Sequence, residues 1–148
     1  KVYIMIPTNN IRGLVQDLSE QLDARMVELR EGTENASVRP ADAKMFMLIS
    51  REPRTLSKLA NALNISRQAA HSSVQRLVER GVVTLEFAPD NKRDKIPQIT
   101  EKGQAARKIA GQNIHTLEAE ISALLGEDKR EKLRLLLSDL NQALKNHP

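Results

Sequence analysis

Residues 55–83 read TLSKLANALNISRQAAHSSVQRLVERGVV. From Leu56 to Leu63 the spacing places Leu59, Ala60 and Leu63 on one face of a short helix. Asn64-Ile65-Ser66 then forms a tight turn, because Asn tolerates the left-handed conformation and Ser66 is a good N-cap. A second helix over residues 67–80 turns Ala70, Val74 and Leu77 inward, with Gly81 just past its end. Residues 82–87 alternate and are rich in β-branched side chains, which predicts a strand. Residues 88–95, with Pro89-Asp90-Asn91, make a polar tip, and residues 96–100 return as a second strand that Pro97 marks as an edge.

Outward from this centre the chain is helical. Residues 10–31 carry a stripe of Ile11, Leu14, Val15, Leu18, Leu22, Met26 and Leu29 that ends at Gly32. Val38-Arg39-Pro40 leads into a helix reaching about Ser50, whose apolar set Phe46, Met47, Leu48 and Ile49 is dense enough to be mostly buried, and Pro53 closes it. On the other side Thr100 caps a long helix to about Leu125, striped by Ala106, Ile109, Ile114, Leu117, Ile121 and Leu124. Gly126 interrupts it. A last helix then starts at Glu127-Asp128 and runs to about Leu144 on Leu133, Leu136, Leu137, Leu140 and Leu144. The expected fold is mainly α with a small β wing.

Two short helices joined by a tight turn, followed by a hairpin with a basic tip, compose a winged helix-turn-helix. The first helix braces the second, whose outer face enters a major groove. That face shows Arg67, Gln68, His71, Ser72, Gln75 and Arg76, with Ser66 at its start, and the tip supplies Lys92, Arg93 and Lys95. Such side chains read guanine or adenine edges or hold phosphates. A helix whose polar face merely met water would mix Glu with Lys, yet no acid precedes Glu79 here.

Charge and composition agree with a polyanionic partner. Net charge is +4 over 148 residues, and residues 51–108 hold twelve Lys or Arg against six Asp or Glu. The remainder is net negative. Cysteine is absent, which removes disulfides, thiolate catalysis, zinc ribbons and thiol redox sensing, and fits a cytoplasmic protein. The scattered His71, His115 and His147 offer no metal site, and no catalytic spacing appears, so neither enzyme activity nor a cofactor is expected. No apolar run is long enough for a membrane span, and residues 2–6 (VYIMI) lack the pattern of a signal peptide. Because the chain opens on Lys1, further residues are expected to precede it. The scarcity of aromatics (Tyr3, Phe46 and Phe87) argues against single-strand or RNA reading by base stacking.

The segment 55–83 and the run NKRDKIPQITEKG at 91–103 resemble the MarR family of bacterial winged helix-turn-helix transcriptional regulators. The resemblance covers nearly the whole chain, and the link I-T-E-K-G into the following helix is a fairly specific piece of it. It implies a dimer formed by the first and last helices, with one DNA-binding lobe per subunit. It places Gln68, His71 and Ser72 where the family reads bases, and Arg93 on its wing arginine. The family usually has Asp two residues before that arginine, whereas this chain has Asn91 with Asp90 adjacent. Many relatives take a small aromatic or anionic effector between the dimer helices and the lobe. The candidates for such a cavity here are Arg30, Phe46, Met47 and His115, with ordinary core or surface as the alternative.

The expected organisation is an N-terminal arm and dimerisation helix over residues 1–36, the DNA-binding lobe over 37–101, and C-terminal dimerisation helices over 102–148. The expected function is a sequence-specific regulator of transcription, a repressor by preference, binding a pseudo-palindromic double-stranded operator as a homodimer. The alternative is a winged-helix module used for protein contact or non-specific nucleic-acid contact. The wide terminal stripes favour pairing, the other outcome being that they fold against their own lobe.

Overall fold

The computed structural model describes residues 9–147, so the N-terminal residues 2–6 considered above lie outside the described residues. The elements run α1 (Ile11–Arg30), α2 (Pro40–Arg51), α3 (Leu56–Leu63), α4 (Arg67–Glu79), β1 (Val83–Ala88), β2 (Asn91–Ile99), α5 (Glu101–Leu125) and α6 (Glu127–Asn146). The chain forms two compact units, one reaching to Gly111 and one beginning at Gln112.

In the first unit, local chemistry places the helix ends where the residue types predict. The Asn10 side chain accepts from the Gly13 N–H at 2.9 Å and starts α1. Pro40 occupies the first turn of α2. Asn64 ends α3 in the left-handed region at φ 52°, and Ser66 Oγ accepts from the Ala69 N–H at 3.0 Å to start α4. The core of this unit joins α2, α3, α4 and the start of β1. Met45, Leu59, Val74, Leu77 and Val83 have fully buried side chains, and Phe46, Ile49, Ala60, Ala70 and Val82 complete the cluster. Each such large side chain contributes about 1.5–3 kcal/mol through removal from water. The dense apolar run on α2 divides more finely than expected. Met45 is buried with Phe46 and Ile49, whereas Met47 and Leu48 are only half-buried, because a run of five helical residues turns through more than a full turn and cannot all face the core.

The hairpin differs from the sequence expectation. The second strand begins at Asn91 rather than Ile96, and the reversal needs only Pro89 and Asp90. Phe87 pairs with Lys95 and Ala88 with Asn91, so Lys92, Arg93 and Asp94 on β2 face no counterpart on β1. This bulge absorbs three extra residues within a continuous strand, and polar composition alone reads such a segment as loop. Pro97 pairs opposite Leu85 in the two-stranded sheet, where its missing N–H costs little.

The hairpin is locked to α5 by Thr100 and Gly103. Thr100 Oγ1 donates to the Gly81 carbonyl at 2.6 Å and accepts from the Gly103 N–H at 3.0 Å. A Cβ at Gly103 would overlap the Val82 carbonyl oxygen and lie 2.7 Å from Ile99 Cγ2. Only glycine lets the helix approach the strand this closely.

On α1 the stripe is exposed from Ile11 to Leu22, with Leu14 and Leu18 49% and 44% accessible, while Met26 and Leu29 are half-buried and Arg30 is the one buried residue of the helix. In the second unit α6 buries no residue. Leu133, Leu136, Leu137, Leu140 and Leu144 are all exposed. Arg130 of α6 bonds Glu118 at 2.8 Å and Glu127 at 2.5 Å, tying the start of α6 to α5 within this unit. Among the described residues no helix is long and apolar enough to cross a membrane.

Candidate nucleic-acid interface

The turn between α3 and α4 sets the exposed face of α4. With Ala70, Ser73, Val74 and Leu77 buried, Arg67, Gln68, His71 and Gln75 are left exposed on the opposite side. Ser66 is exposed at the helix start while its hydroxyl caps the helix, and Ser72 is half-buried at the edge of the face. A face of Arg, Gln, His and Gln presents both donors and acceptors to base edges, and carries no carboxylate to repel phosphates.

The wing supplies cations beside that face. Lys92, Arg93 and Lys95 are exposed, the first two within the bulge. Lys95 Nζ sits 5.3 Å from the centre of the Phe87 ring, which is itself 53% exposed. An ammonium over an aromatic face is attracted by the ring quadrupole, so Phe87 helps hold a wing cation. Sequence reading missed this role. The available signal was the cross-strand pairing, which depends on a register the bulge had hidden. A hollow of about 230 Å³ lies between the start of α3, Arg67 and His71 of α4, and Arg93, Asp94 and Lys95 of the wing, with Leu85 also lining it. Its rim brings recognition helix and wing together in one cationic concavity.

Arg76 is placed differently from its neighbours on α4. Its Nε and Nη2 donate to the two Asp42 carboxylate oxygens at 2.8 and 2.7 Å, and Ser73 Oγ donates to Asp42 Oδ1 at 2.6 Å. Burial pushes the Asp42 carboxyl up, but the hydrogen bonds from Arg76 and Ser73 and the charges of Arg76 and Arg39 outweigh it. The carboxyl is left below the usual carboxylate range. Arg76 is therefore already matched by a carboxylate. Asp42 and Ser73 escaped the sequence reading because nothing local links residues 31 positions apart.

Of the effector candidates, Phe46 belongs to the apolar core and Met47 is half-buried on α2. His115 is exposed on the part of α5 in the second unit. Arg30 stands apart: it is 8% exposed, and its Nε has no hydrogen-bond partner. Desolvation pushes its guanidinium down from the usual value, with the charge of Asp23 opposing.

Residues 38–94 match the MarR family model, a span that takes in α2, α3, α4, β1 and the wing bulge. No curated protein matches the chain. Solved structures share its fold over nearly their whole length. The transcriptional repressor CouR bound to a 23-mer DNA duplex superposes with a TM-score of 0.73 at 20% identity, over 93% of this chain and 99% of that one. Apo MarR from E. coli gives 0.73 at 22% identity, over 93% and 98%. A MarR family protein of Mycobacterium tuberculosis in complex with salicylic acid gives 0.71 at 17% identity, over 88% and 96%. The lobe over residues 38–94 thus matches the MarR family model of winged helix-turn-helix regulators, and the chain shares its fold with solved MarR-type regulators.

Proposed function

We propose that the chain is a cytoplasmic, homodimeric repressor that reads a pseudo-palindromic operator and leaves it when a small anionic effector binds. The observation that carries the reading is the juxtaposition of Arg67, Gln68, His71 and Gln75 on one exposed face of α4 with the wing cations Lys92, Arg93 and Lys95. The helix face supplies base contacts and the wing supplies backbone contacts, the division of labour that sequence-specific binding requires. It acts by binding and carries out no chemistry of its own.

Dimerisation rests on exposed leucines. A soluble monomer rarely leaves so many unpaired, and Leu14 and Leu18 on α1, with Leu133, Leu136, Leu137 and Leu140 on α6, are all uncovered in a single chain. A two-fold dimer presents two recognition helices to half-sites about one helical turn apart, which is why the operator is a palindrome. In this scheme residues 1–36 and 102–148 form the dimer arms and residues 37–101 the lobe. The effector reading rests on Arg30, since a buried guanidinium with an unsatisfied Nε is expensive unless an anion arrives to meet it. That CouR is a repressor captured on duplex DNA, and that the mycobacterial protein holds salicylic acid, point the same way.

The test is selection of bound duplexes from a random pool, followed by titration of the selected duplex, a scrambled duplex and the single strand. An enriched palindrome bound tightly only as duplex is the expected outcome. Equal affinity for all three would return the chain to a module for non-specific contact.

A further inference from the structure

The buried carboxylate of Asp42 reaches from α2 to the recognition helix α4. It lies in the first turn of α2 and is only 4% exposed. Both of its oxygens are used, Oδ1 by Ser73 Oγ and Arg76 Nη2, and Oδ2 by Arg76 Nε. Ser73 and Arg76 are three residues apart on α4, so they form one ridge on the flank between its buried face and its exposed face. At the far end of α4 the C-cap Arg80 donates to Ser37 Oγ at 2.9 Å and to the Glu34 carbonyl at 3.3 Å, while along the helix itself Ala70, Val74 and Leu77 are apolar and impose no direction. A bidentate guanidinium–carboxylate pair does impose one, because the planar fork accepts a narrow range of orientations.

We infer that Asp42 is a positioning residue for DNA reading: through Ser73 and Arg76 it sets the rotation of α4 about its own axis. Gln68, His71 and Gln75 thereby meet base edges in register, and Arg76 is withheld from the phosphates. This inference rests on the DNA-reading function proposed above. Base contacts tolerate displacements of about 0.5 Å or rotations of about 10–20°, a margin that an apolar seat alone does not guarantee. On its other side α2 is joined to α1 by the Lys44–Asp23 ion pair at 2.6 Å, so the same short helix links α1 to the recognition helix.

The experiment compares affinity for the selected duplex with affinity for a scrambled one, at one salt concentration and well below the melting temperature. Wild type is measured beside Asp42→Asn, Ser73→Ala and Arg76→Lys. Asp42→Asn keeps the size of the side chain but cannot accept from both arms of the fork. It is expected to lower the selected-to-scrambled ratio by about 5- to 100-fold, the equivalent of misreading one base pair. The whole loss falls on the selected duplex. Scrambled binding stays level or tightens, because the Arg76 charge is no longer cancelled. Ser73→Ala leaves the ion pair in place and should lower the ratio less, and Arg76→Lys, lacking the fork, should lower it as Asp42→Asn does. A residue that served stability alone would leave the ratio untouched in a folded variant. An unchanged ratio in folded Asp42→Asn, or a parallel loss on both duplexes, overturns the assignment. If Asp42→Asn does not fold, unchanged ratios in both other variants overturn it instead. A wild-type protein with no preference between duplexes would defeat the DNA-reading function itself rather than the role of Asp42.

Discussion

Replacing Lys92, Arg93 and Lys95 together by Ala removes the cations the wing carries in and beside its bulge, and the effect on DNA binding can be worked out in advance. All three are exposed, so the stability cost should stay within about 0.5 kcal/mol. Each phosphate contact contributes about 0.9 to the slope of log affinity against log salt, so three contacts contribute about 2.7. Over a fourfold rise in salt one contact is worth a factor of about 3.5, and three a factor of about 40. The triple variant should therefore bind scrambled and selected duplexes more weakly at low salt. The difference from wild type should shrink by about 40-fold between 50 and 200 mM salt. Arg93→Ala alone should change the slope by about one ion. Phe87→Leu should lower the share of Lys95, since the ring 5.3 Å from its ammonium holds that charge in place. Fluorescence anisotropy across a salt series on both duplexes measures all of this. An unchanged slope in the triple variant would mean that the wing does not reach the backbone. A loss confined to the selected duplex would mean that it reads bases instead.

Gly103→Ala should destabilise the lobe by about 1–3 kcal/mol or more, read as a lower melting temperature, because its Cβ has no room beside Val82 and Ile99. At Asn64, held at φ 52°, Gly should be tolerated and Ala should cost about 1–2 kcal/mol in denaturant melts. For Asp42 the folded carboxyl titrates below its unfolded value of about 3.9, so its contribution is complete above that pH and is lost as pH falls through the folded value. Acid unfolding of Asp42→Asn should accordingly be shallower than that of wild type below about pH 4, and identical acid limbs would refute the linkage. Leu136→Lys combined with Leu140→Lys should yield a monomer by sedimentation with much weaker binding to a palindrome. A dimer that persists would remove α6 from the interface.

The helices, their caps and the order of elements were legible in the residues alone, because they depend on interactions within a few positions of one another. Asn64 and Ser66 mark the turn between α3 and α4 through their own backbone preferences. Ala70, Val74 and Leu77 declare the inner face of α4 by spacing, and the exposed face with Gln68 and His71 follows by subtraction. Tertiary structure decided three things that spacing does not encode. The strand runs back to Asn91 because pairing with β1 continues past a bulge, although charged residues there favour a loop on their own. Phe87 acquires its role from Lys95 opposite, a neighbour only once the register is set. Arg76 looks like its exposed neighbours in sequence, yet Asp42, 34 residues earlier, takes its guanidinium. Short-range preferences act on an isolated segment, whereas a buried ion pair or a strand register exists only after the chain has brought distant residues together.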